Sequence, residues 1–414
     1  MSSAPPPDET LLSLLADPEV RRDPHDAFSR LREASPLARA TEDIWVVSSA
    51  DLVAAVLQDP DSFSSDLRNA TAVFPDSGGE EPDAIASYSR HMMIFTDPPD
   101  HTRLRGLVQQ AFTPRRVREL QPVFERLAAD LLDQAVERGS MEVIQDLALP
   151  LPVSVICELM GISAADRPRV HDWADVLSAQ LDNLAVTDME ARAHADQVLE
   201  EYAEFLRHQF ARRREDPGDD LISALVQAKD GEDKLSEDEL IATCVLLLGA
   251  GHETTVGMIG NGTLAFLRNP DEYARLRADR SLLHTAVEEC FRYDGPVRLT
   301  HRASRPGAEL AGIEIPEGDL VMLLLAAANR DPSRFPDPDR FDVGRDGEHS
   351  FASGFGIHWC LGGVLSRAEV GAAFGALLDR FRRLEPALDL QTVEMRDAMM
   401  ICRPSSLPVT VVAA

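Results

Sequence analysis

Apolar residues recur every three or four positions along most of the chain, the spacing with which a helix buries one face. This period predicts helices over residues 24–35, 51–58, 117–137, 236–267, 286–293 and 364–382. The fourth of these is the longest and most apolar, and the spacing of Ser236 and Glu239 at its start matches a capping box. We therefore expect a long helix at the centre of the fold.

Strand patterns are few and short. Apolar and β-branched residues predict strands over residues 44–47, 297–300, 313–315 and 321–325. Residues 59–95 are rich in Asp, Ser, Pro and Gly and predict a long functional loop with at most one short helix. The predicted fold class is mainly α with small β-sheets (α+β). No repeat or linker marks a boundary, so we expect a loose leader over residues 1–20 and a single domain over residues 21–414.

Composition and charge narrow the function classes. The 414 residues carry 70 acidic and 41 basic side chains, a net charge of −29 that repels nucleic acids and anionic membranes. The longest apolar runs, over residues 244–251 and 321–328, are shorter than the roughly 18 residues of a membrane span. The first 20 residues also lack the pattern of a secretory signal. We expect a cytoplasmic protein that binds neither nucleic acid nor membrane.

Five widely spaced cysteines without a CxxC pair argue against a disulfide framework, a zinc ribbon or an iron–sulfur cluster. Cys360 lies in a glycine-rich loop over residues 354–362, just before a predicted helix whose positive end stabilises thiolate over thiol. Three interpretations compete for this residue: a buried structural cysteine, a nucleophile with His358 as its base, and a thiolate ligand to a metal.

The middle of the long helix carries Ala250, Gly251, Glu253 and Thr254. Small residues there allow another group to approach the backbone, and a buried Glu beside a Thr is unusual without a role. Alternatively, Gly251 is a packing notch and Thr254 bonds a carbonyl one turn back. A zinc-protease motif is excluded, because Val256 stands where the second histidine would be.

Two weaker patterns follow along the chain. Glu289 and Arg292 lie on one helix face and can pair, as many surface residues do. Pro338, Arg340 and Phe341 form a second short pattern, in a proline-rich turn.

Together and in this order, the four patterns resemble the cytochromes P-450, the haem-thiolate monooxygenases. The family's (A/G)Gx(D/E)T motif matches residues 250–254, and its ExxR motif matches Glu289 and Arg292. Its PxRF element matches residues 338–341, and its cysteine loop matches residues 354–362. The resemblance extends from residue 23 to residue 409, and it implies a P-450 fold with haem b between the long central helix and the helix after the cysteine loop.

The resemblance implies a role for each pattern. Cys360 would supply the proximal thiolate, whose electron donation promotes O–O cleavage. Glu289, Arg292 and Arg340 would form a buried charged triad that fixes the cysteine loop. Glu253 and Thr254 would deliver protons to dioxygen. The residues that would bind the haem are His101, Arg105, Ala250, Gly251, Arg302, His358 and Gly362.

Four residues are expected to line the substrate: Leu247, Val297, Arg298 and Met400. Alternation along a strand would put Arg298, Thr300 and Arg302 on one face, and a buried guanidinium needs an acceptor. An anionic or carbonyl-rich substrate would provide one, and a propionate or a backbone carbonyl is the alternative. One departure from the family is Ser353, which stands where an aromatic residue is usual.

The implied activity is the O2-dependent hydroxylation or epoxidation of a small organic molecule in natural-product biosynthesis. The chain has no flavin or iron–sulfur segment, so a ferredoxin or flavodoxin with an NAD(P)H reductase would supply the electrons. Arg115, Arg116 and Arg118 form a basic cluster where an acidic partner could dock, although a solvated helix start explains it equally. Two other functions stay open: coupling, nitration or rearrangement by the same fold, and ligand binding without catalysis. We expect a monomer.

Overall fold

The structure, a computed structural model, describes residues 17–71, 84–182, 189–230, 233–347, 349–396, 398 and 400–414. The α-helices are α1 Pro18–Arg22, α2 His25–Ala34, α3 Ala50–Gln58, α4 Ala84–Ser89, α5 Asp100–Ala111, α6 Pro114–Arg138, α7 Pro150–Met160, α8 Arg167–Asp182, α9 Met189–Glu215, α10 Leu221–Gln227, α11 Glu237–Arg268, α12 Pro270–Ala278, α13 Leu283–Asp294, α14 Leu325–Asn329 and α15 Gly363–Arg380. The strands are β1 Leu37–Arg39, β2 Ile44–Val47, β3 Phe63–Ser64, β4 Ser140–Glu142, β5 Lys229–Asp230, β6 Asp233–Lys234, β7 Thr300–Ser304, β8 Glu309–Leu310, β9 Ile313–Glu314, β10 Leu320–Leu323, β11 Phe381–Pro386 and β12 Pro408–Ala413. The prediction of a mainly α fold with small sheets is confirmed.

Local sequence signals set several helix ends. Thr113 accepts a hydrogen bond from the Arg116 N–H at 3.3 Å, so α6 begins at Pro114, three residues earlier than predicted. The capping box at the start of α11 is confirmed. Ser236 Oγ accepts from the Glu239 N–H at 3.2 Å, and a Glu239 carboxylate oxygen accepts from the Ser236 N–H at 2.8 Å.

Two expectations about secondary structure are wrong, and a third falls largely outside the described residues. The strand predicted over residues 297–300 begins only at Thr300, because Thr300 is the first residue that pairs with β10, whereas Val297 makes just an isolated bridge to Ile401. The region 59–95 contains β3, α4 and two 3₁₀ turns, Leu67–Asn69 and Met93–Phe95, although residues 72–83 lie outside the described chain. Residues 1–16 of the leader also lie outside it, and the rest of the leader enters α1, which Asp17 caps.

Contacts divide the chain into two compact units. The first comprises Met1–Gly79, Gly260–Cys360 and Glu385–Leu407. It contains a five-stranded sheet in the order β1-β2-β10-β7-β3, in which β2 and β10 are parallel and the other neighbours antiparallel. In this sheet Arg302 of β7 lies opposite Val321 of β10, so its backbone is fixed within a buried ladder.

The second unit comprises Glu80–Ile259, Leu361–Leu384 and Pro408–Ala414. In it α15 packs along α6, and α9 packs against α8. Most of α11 belongs to this unit, and the hydroxyls of Thr255 on α11 and Ser366 on α15 lie 3.2 Å apart. The single domain over residues 21–414 stays a prediction.

Helix α11 is the one described helix long and apolar enough, by length and composition, to cross a membrane. However, 72% of its most apolar window is buried inside the protein, as in the core helix of a water-soluble fold.

Candidate active site

Cys360 follows a tight loop that two glycines shape. Gly354 and Gly356 have φ angles of +72° and +69°, and a Cβ at Gly356 would lie 2.1 Å from the carbonyl oxygen of Leu57. The Cys360 N–H donates to the Ser353 carbonyl at 2.8 Å and closes the loop. Only glycine fits position 356, so the loop holds the cysteine at a fixed place before α15.

Exposure distinguishes Cys360 from the other four cysteines. Cys360 is exposed, whereas Cys157, Cys244, Cys290 and Cys402 are buried. Burial raises the pKa of Cys157 and of Cys244 to about 12 and raises the pKa of Cys290 well above its usual range. Those three thiols stay protonated and are poor ligands. The interpretation of Cys360 as a buried structural cysteine is therefore wrong.

The ExxR helix, α13, fixes the start of the cysteine loop. Arg292 donates to both carboxylate oxygens of Glu289, at 2.7 and 2.8 Å, and to the Asn329 carbonyl at 3.0 Å. The side-chain oxygen of Asn329 then accepts a hydrogen bond from the Phe351 N–H at 2.6 Å. The predicted folding role of this pair thus has a physical route, from the buried charges through Asn329 to the chain that leads to Cys360.

The prediction that Arg340 is the third member of the triad is wrong. Its side chain is 64% exposed and lies 3.8 Å from Asp342. Arg345 takes the place beside Glu289, with its Nε 3.0 Å from the carboxylate. The proline-rich turn presents the backbone carbonyl of Arg340, rather than its side chain, to the guanidinium of Arg345 at 2.9 Å.

One face of α11 is open in the middle of the helix. Four residues spaced at i, i+3, i+4 and i+7 are partly or fully exposed: Leu247, Ala250, Gly251 and Thr254. Their neighbours His252, Glu253 and Thr255 are at most 3% exposed. A Cβ at Gly251 would meet nothing within 4 Å outside its own helix, among the described residues. Gly251 is therefore not a packing notch, and this face has room for a flat group.

A hydroxyl and a carboxyl border this open face. Thr254 Oγ1 donates to the Ala250 carbonyl at 2.6 Å, the bond to the preceding turn that the sequence offered as an alternative. That bond fixes the side chain, and the hydroxyl oxygen keeps the capacity to accept a hydrogen bond. Glu253 is 3% exposed, so its carboxyl is shielded from bulk water.

The residues expected at the haem propionates are buried or partly buried nitrogen donors. In the second unit, His101 and Arg105 lie one turn apart on α5; His101 is buried and Arg105 partly buried. In the first unit, Arg302 is buried in β7, and the partly buried His358 ends the 3₁₀ turn Gly356–His358. Burial, and then the charge of Arg302, lower the pKa of His301 to about 4. Each of the four is the donor type that a carboxylate needs.

Three of the expected substrate residues lie together. The Arg298 N–H donates to the Met400 carbonyl at 2.8 Å, beside the bridge of Val297 to Ile401. The buried guanidinium of Arg298 donates to the Arg22 carbonyl at 3.4 Å, which is the backbone-carbonyl alternative.

The surroundings of Arg298 differ from those expected. It lines a cavity of about 590 Å³ with Asp294 and Arg330, and it precedes β7. The placement of Arg298 on the strand face of Arg302 is wrong, because the strand begins later than predicted.

The basic cluster near residue 115 is largely neutralised by its own neighbours. Arg115 pairs with Glu119 at 2.7 Å, and Arg116 pairs with Asp219 at 3.2 Å. Such pairs are typical of a solvated helix start, so the geometry favours that explanation over a docking site.

Sequence reasoning missed three residues that the structure brings to these clusters: Asn329, Arg345 and Asp175. Asp175 on α8 contacts His252. None of them stands in a motif with a local signal, since each acts through a partner distant in sequence. Among the described residues, no group of three or more His, Cys, Asp or Glu could hold a metal ion.

Comparison with known proteins identifies the family. The model of the Cytochrome P450 family matches residues 5–410. Cytochrome P450 107B1 of Saccharopolyspora erythraea is 40% identical over 404 residues, which cover 96% of this chain and 97% of that protein. The 6-deoxyerythronolide B hydroxylase of the same organism is 38% identical over 389 residues, covering 92% and 94%. The solved structure of Bacillus subtilis 168 Bacillaene Polyketide Synthase Cytochrome P450 PksS has a TM-score of 0.86 at 34% identity, covering 95% of this chain and 98% of that one. The chain belongs to the cytochrome P450 family and is a haem-iron monooxygenase that uses O2 to oxidise a small organic molecule.

Proposed function

We propose that the protein hydroxylates or epoxidises a natural-product intermediate in the cytoplasm, as a single-domain monomer that binds haem b. Electrons would come from a ferredoxin or flavodoxin and its NAD(P)H reductase. The observation that carries the proposal is the exposure of Cys360 after a loop that α13 fixes, while the other four cysteines are buried. The names of a 6-deoxyerythronolide B hydroxylase and of a polyketide synthase P450 among its relatives support the substrate class.

The residues present fit a haem-thiolate group. Cys360 Sγ would bind the iron, and four nitrogen donors would pair with the propionates: His101, Arg105, Arg302 and His358. The open space beside Gly251 would accept the flat ring. Ala250 and Gly362, the other two small residues expected at the haem, would leave room for it at their own positions. When bound, the group supplies the reductive activation of O2, with the thiolate as electron donor to the iron.

The chain's own residues would move protons and exclude water. The Thr254 hydroxyl can turn its proton from the Ala250 carbonyl toward the open face and accept a replacement at its oxygen. The buried carboxyl of Glu253 would hold that replacement proton. Leu247, Val297 and Met400 offer apolar surface to a substrate. Arg298 is left out of this proposal, because its guanidinium already has a backbone acceptor.

Labelled dioxygen tests the proposal. Purified protein is incubated with 6-deoxyerythronolide B as the probe, NADPH, spinach ferredoxin and its reductase, under ¹⁸O2. We expect a product that carries one ¹⁸O atom, and no product from C360S under the same conditions. A panel of other macrolide and fatty-acid probes extends the test. Product that carries oxygen from water, or equal product from C360S, would contradict the proposal.

A further inference from the structure

The 3₁₀ turn Phe351–Ser353, at the start of the cysteine loop, is not capped by its own flanking residue. The first N–H groups of a helical turn have no partner within the turn and need an acceptor from elsewhere. Ser350 stands at the cap position and is a residue type that often provides one, but its side chain makes no such bond. Its hydroxyl is buried and has no hydrogen-bond partner among the residues that the structure describes.

Asn329, the last residue of α14, provides the acceptor from outside the loop. Its side-chain oxygen accepts a hydrogen bond from the Phe351 N–H at 2.6 Å. Asn329 is 2% exposed and Phe351 has no exposed surface. Because both residues are buried, loss of the amide oxygen would leave a buried donor without an acceptor, which is costly.

Asn329 is itself fixed by bonds to two other elements. Its backbone carbonyl accepts a hydrogen bond from Nη1 of Arg292, which pairs with the buried Glu289 on α13, at 3.0 Å. Two residues after Asn329, the carboxylate of Asp331 accepts from the Ala50 N–H at 2.9 Å, at the start of α3. The acceptor for Phe351 therefore has a defined place relative to both helices.

The turn connects Asn329 to Cys360 through few bonds. The Phe351 carbonyl accepts from the Gly354 N–H at 2.8 Å, and the Ser353 carbonyl accepts from the Cys360 N–H at 2.8 Å. One end of the turn is thus bonded to Asn329 and the other end to Cys360. We propose that Asn329 is a positioning residue, whose side-chain oxygen fixes the turn and thereby the sulfur of Cys360. This inference rests on the proposed role of Cys360 as the haem ligand.

A positioning role and a purely structural role have different consequences. If the bond from Phe351 to Asn329 contributed only to stability, its loss would lower the free energy of unfolding and leave the cysteine loop unchanged in the folded protein. If the bond positions the turn, its loss also loosens the Cys360 N–H and weakens the attachment of the sulfur to iron, as the loss of a group that orients a metal ligand does.

Two substitutions at Asn329 separate the acceptor from the size of the side chain. N329L has a similar size and no polar atom, whereas N329D keeps an oxygen where the Phe351 N–H donates. N329S is a milder change whose hydroxyl is one atom too short to take the place of the amide oxygen. It gives the same comparison if N329L does not fold.

Two control variants have matched burial. Asn261 is 1% exposed, and its side chain donates to the carbonyls of Asp294 at 2.9 Å and Cys402 at 3.0 Å, neither of which is in the cysteine loop. N261L therefore removes buried hydrogen bonds from the same compact unit without touching the turn. S350A removes the hydroxyl that stands at the cap position and makes no bond there.

Two readouts report on the cysteine loop without turnover. The first is the half-time with which the reduced, carbon-monoxide-bound protein loses its red-shifted Soret band at a fixed elevated temperature, which measures how firmly the thiolate stays on iron. The second is amide hydrogen exchange of residues 351–360 in the same complex, measured by mass spectrometry relative to the rest of the chain. Urea unfolding gives the stability of each variant.

We expect N329L to lose the band about tenfold faster than wild type and to exchange the amides of residues 351–360 about tenfold faster than the rest of its chain. N329D and S350A should stay within about twofold of wild type. N261L should unfold at a lower urea concentration than wild type and keep wild-type exchange in residues 351–360. Equal effects of N329L and N261L on these residues, or a wild-type half-time in N329L, would overturn the positioning role and leave the proposed function standing. A wild-type protein without the red-shifted band would overturn the proposed function itself.

Discussion

Exposure to the surroundings distinguishes the proposed functional side chains of this protein from others of the same type or the same helix. Cys360 is exposed where four other thiols are buried, and Thr254 lies on an open helix face between two buried neighbours. Both residues could be identified from the sequence, because each stands in a motif with fixed spacing. The exposure of Cys360 and of Thr254 depends on residues from distant parts of the chain.

Replacement of Thr254 tests proton delivery at its last step. T254A removes a hydroxyl that is fixed by the Ala250 carbonyl and leaves the helix backbone intact. We expect NADPH to be consumed at a similar rate while most of it yields hydrogen peroxide instead of product. The measurement is the ratio of product to NADPH, with T255S as control because Thr255 bonds Ser366. An unchanged ratio in T254A would assign the proton path to other groups.

Because Arg345, and not Arg340, pairs with Glu289, we expect replacement of these two arginines to change the free energy of unfolding by different amounts. Arg345 is 17% exposed and bonds the fully buried Glu289, so R345Q should lower the free energy of unfolding by about 2–4 kcal/mol. Arg340 is 64% exposed, and R340Q should cost less than about 0.5 kcal/mol. Urea unfolding followed by circular dichroism measures both. A larger cost for R340Q would restore the assignment made from the sequence.

The sequence could not have distinguished these two arginines. The motif PxRF marks Arg340, but the path of the backbone over residues 336–345 decides which guanidinium reaches Glu289. That path depends on contacts with α13, which are distant in sequence. The pair Glu289 and Arg292 was predictable, because i and i+3 residues share a helix face whatever the tertiary structure.

The ends of secondary-structure elements were predicted well where the residues that set them are close in sequence. The capping box of α11 and the Thr113-Pro114 start of α6 lie within one turn of the helix end that they set. The start of β7 was missed because strand pairing depends on the partner, here Met322 and Leu323 of β10. The short helix α14 was missed for the same reason, since its residues continue an apolar run that resembles a strand.

Asp294, the last residue of α13, should make the folded protein less stable in acid. Burial would raise the pKa of Asp294, but the hydrogen bond and charge of His25, with the charges of Arg298 and Arg330, outweigh it and lower the pKa to about 2. An unfolded Asp titrates near pH 3.9, so this residue stabilises the folded protein at neutral pH by about 2–3 kcal/mol. That stabilisation is present above about pH 4 and is lost as the pH falls through 2.

Comparison with D294N isolates this contribution from other carboxylates. We expect the free energy of unfolding to fall more steeply between pH 4 and pH 2 in wild type than in D294N. Urea titrations at half-unit intervals of pH provide the curves. Parallel curves over this range would show that Asp294 has an ordinary pKa in the folded protein.

At the scale of the whole molecule, the family match extends over residues 5–410, and contacts divide the chain into two units. The order of the motifs identified the family from the sequence, because its motifs span the chain. The motifs could not identify the substrate, since the residues that we propose to select it are held together by pairings such as Val297 with Ile401.

If residues 21–414 form a single domain, we expect one unfolding transition. W173F leaves Trp45 and Trp359 to report on the first unit, and the double variant W45F/W359F leaves Trp173 to report on the second. We expect both fluorescence transitions to coincide with loss of the circular dichroism signal in urea. Two separated transitions would mean that residues 21–414 form two domains.

The absorbance spectrum of the reduced, carbon-monoxide-bound protein tests the central claim, that Cys360 is the thiolate ligand of the haem iron. The account predicts the strongly red-shifted Soret band of thiolate-ligated haem in wild type and its loss in C360S. The matched control C157S replaces a buried thiol and should keep the band. An unshifted band in wild type, or a shifted band that survives in C360S, would contradict the assignment of Cys360.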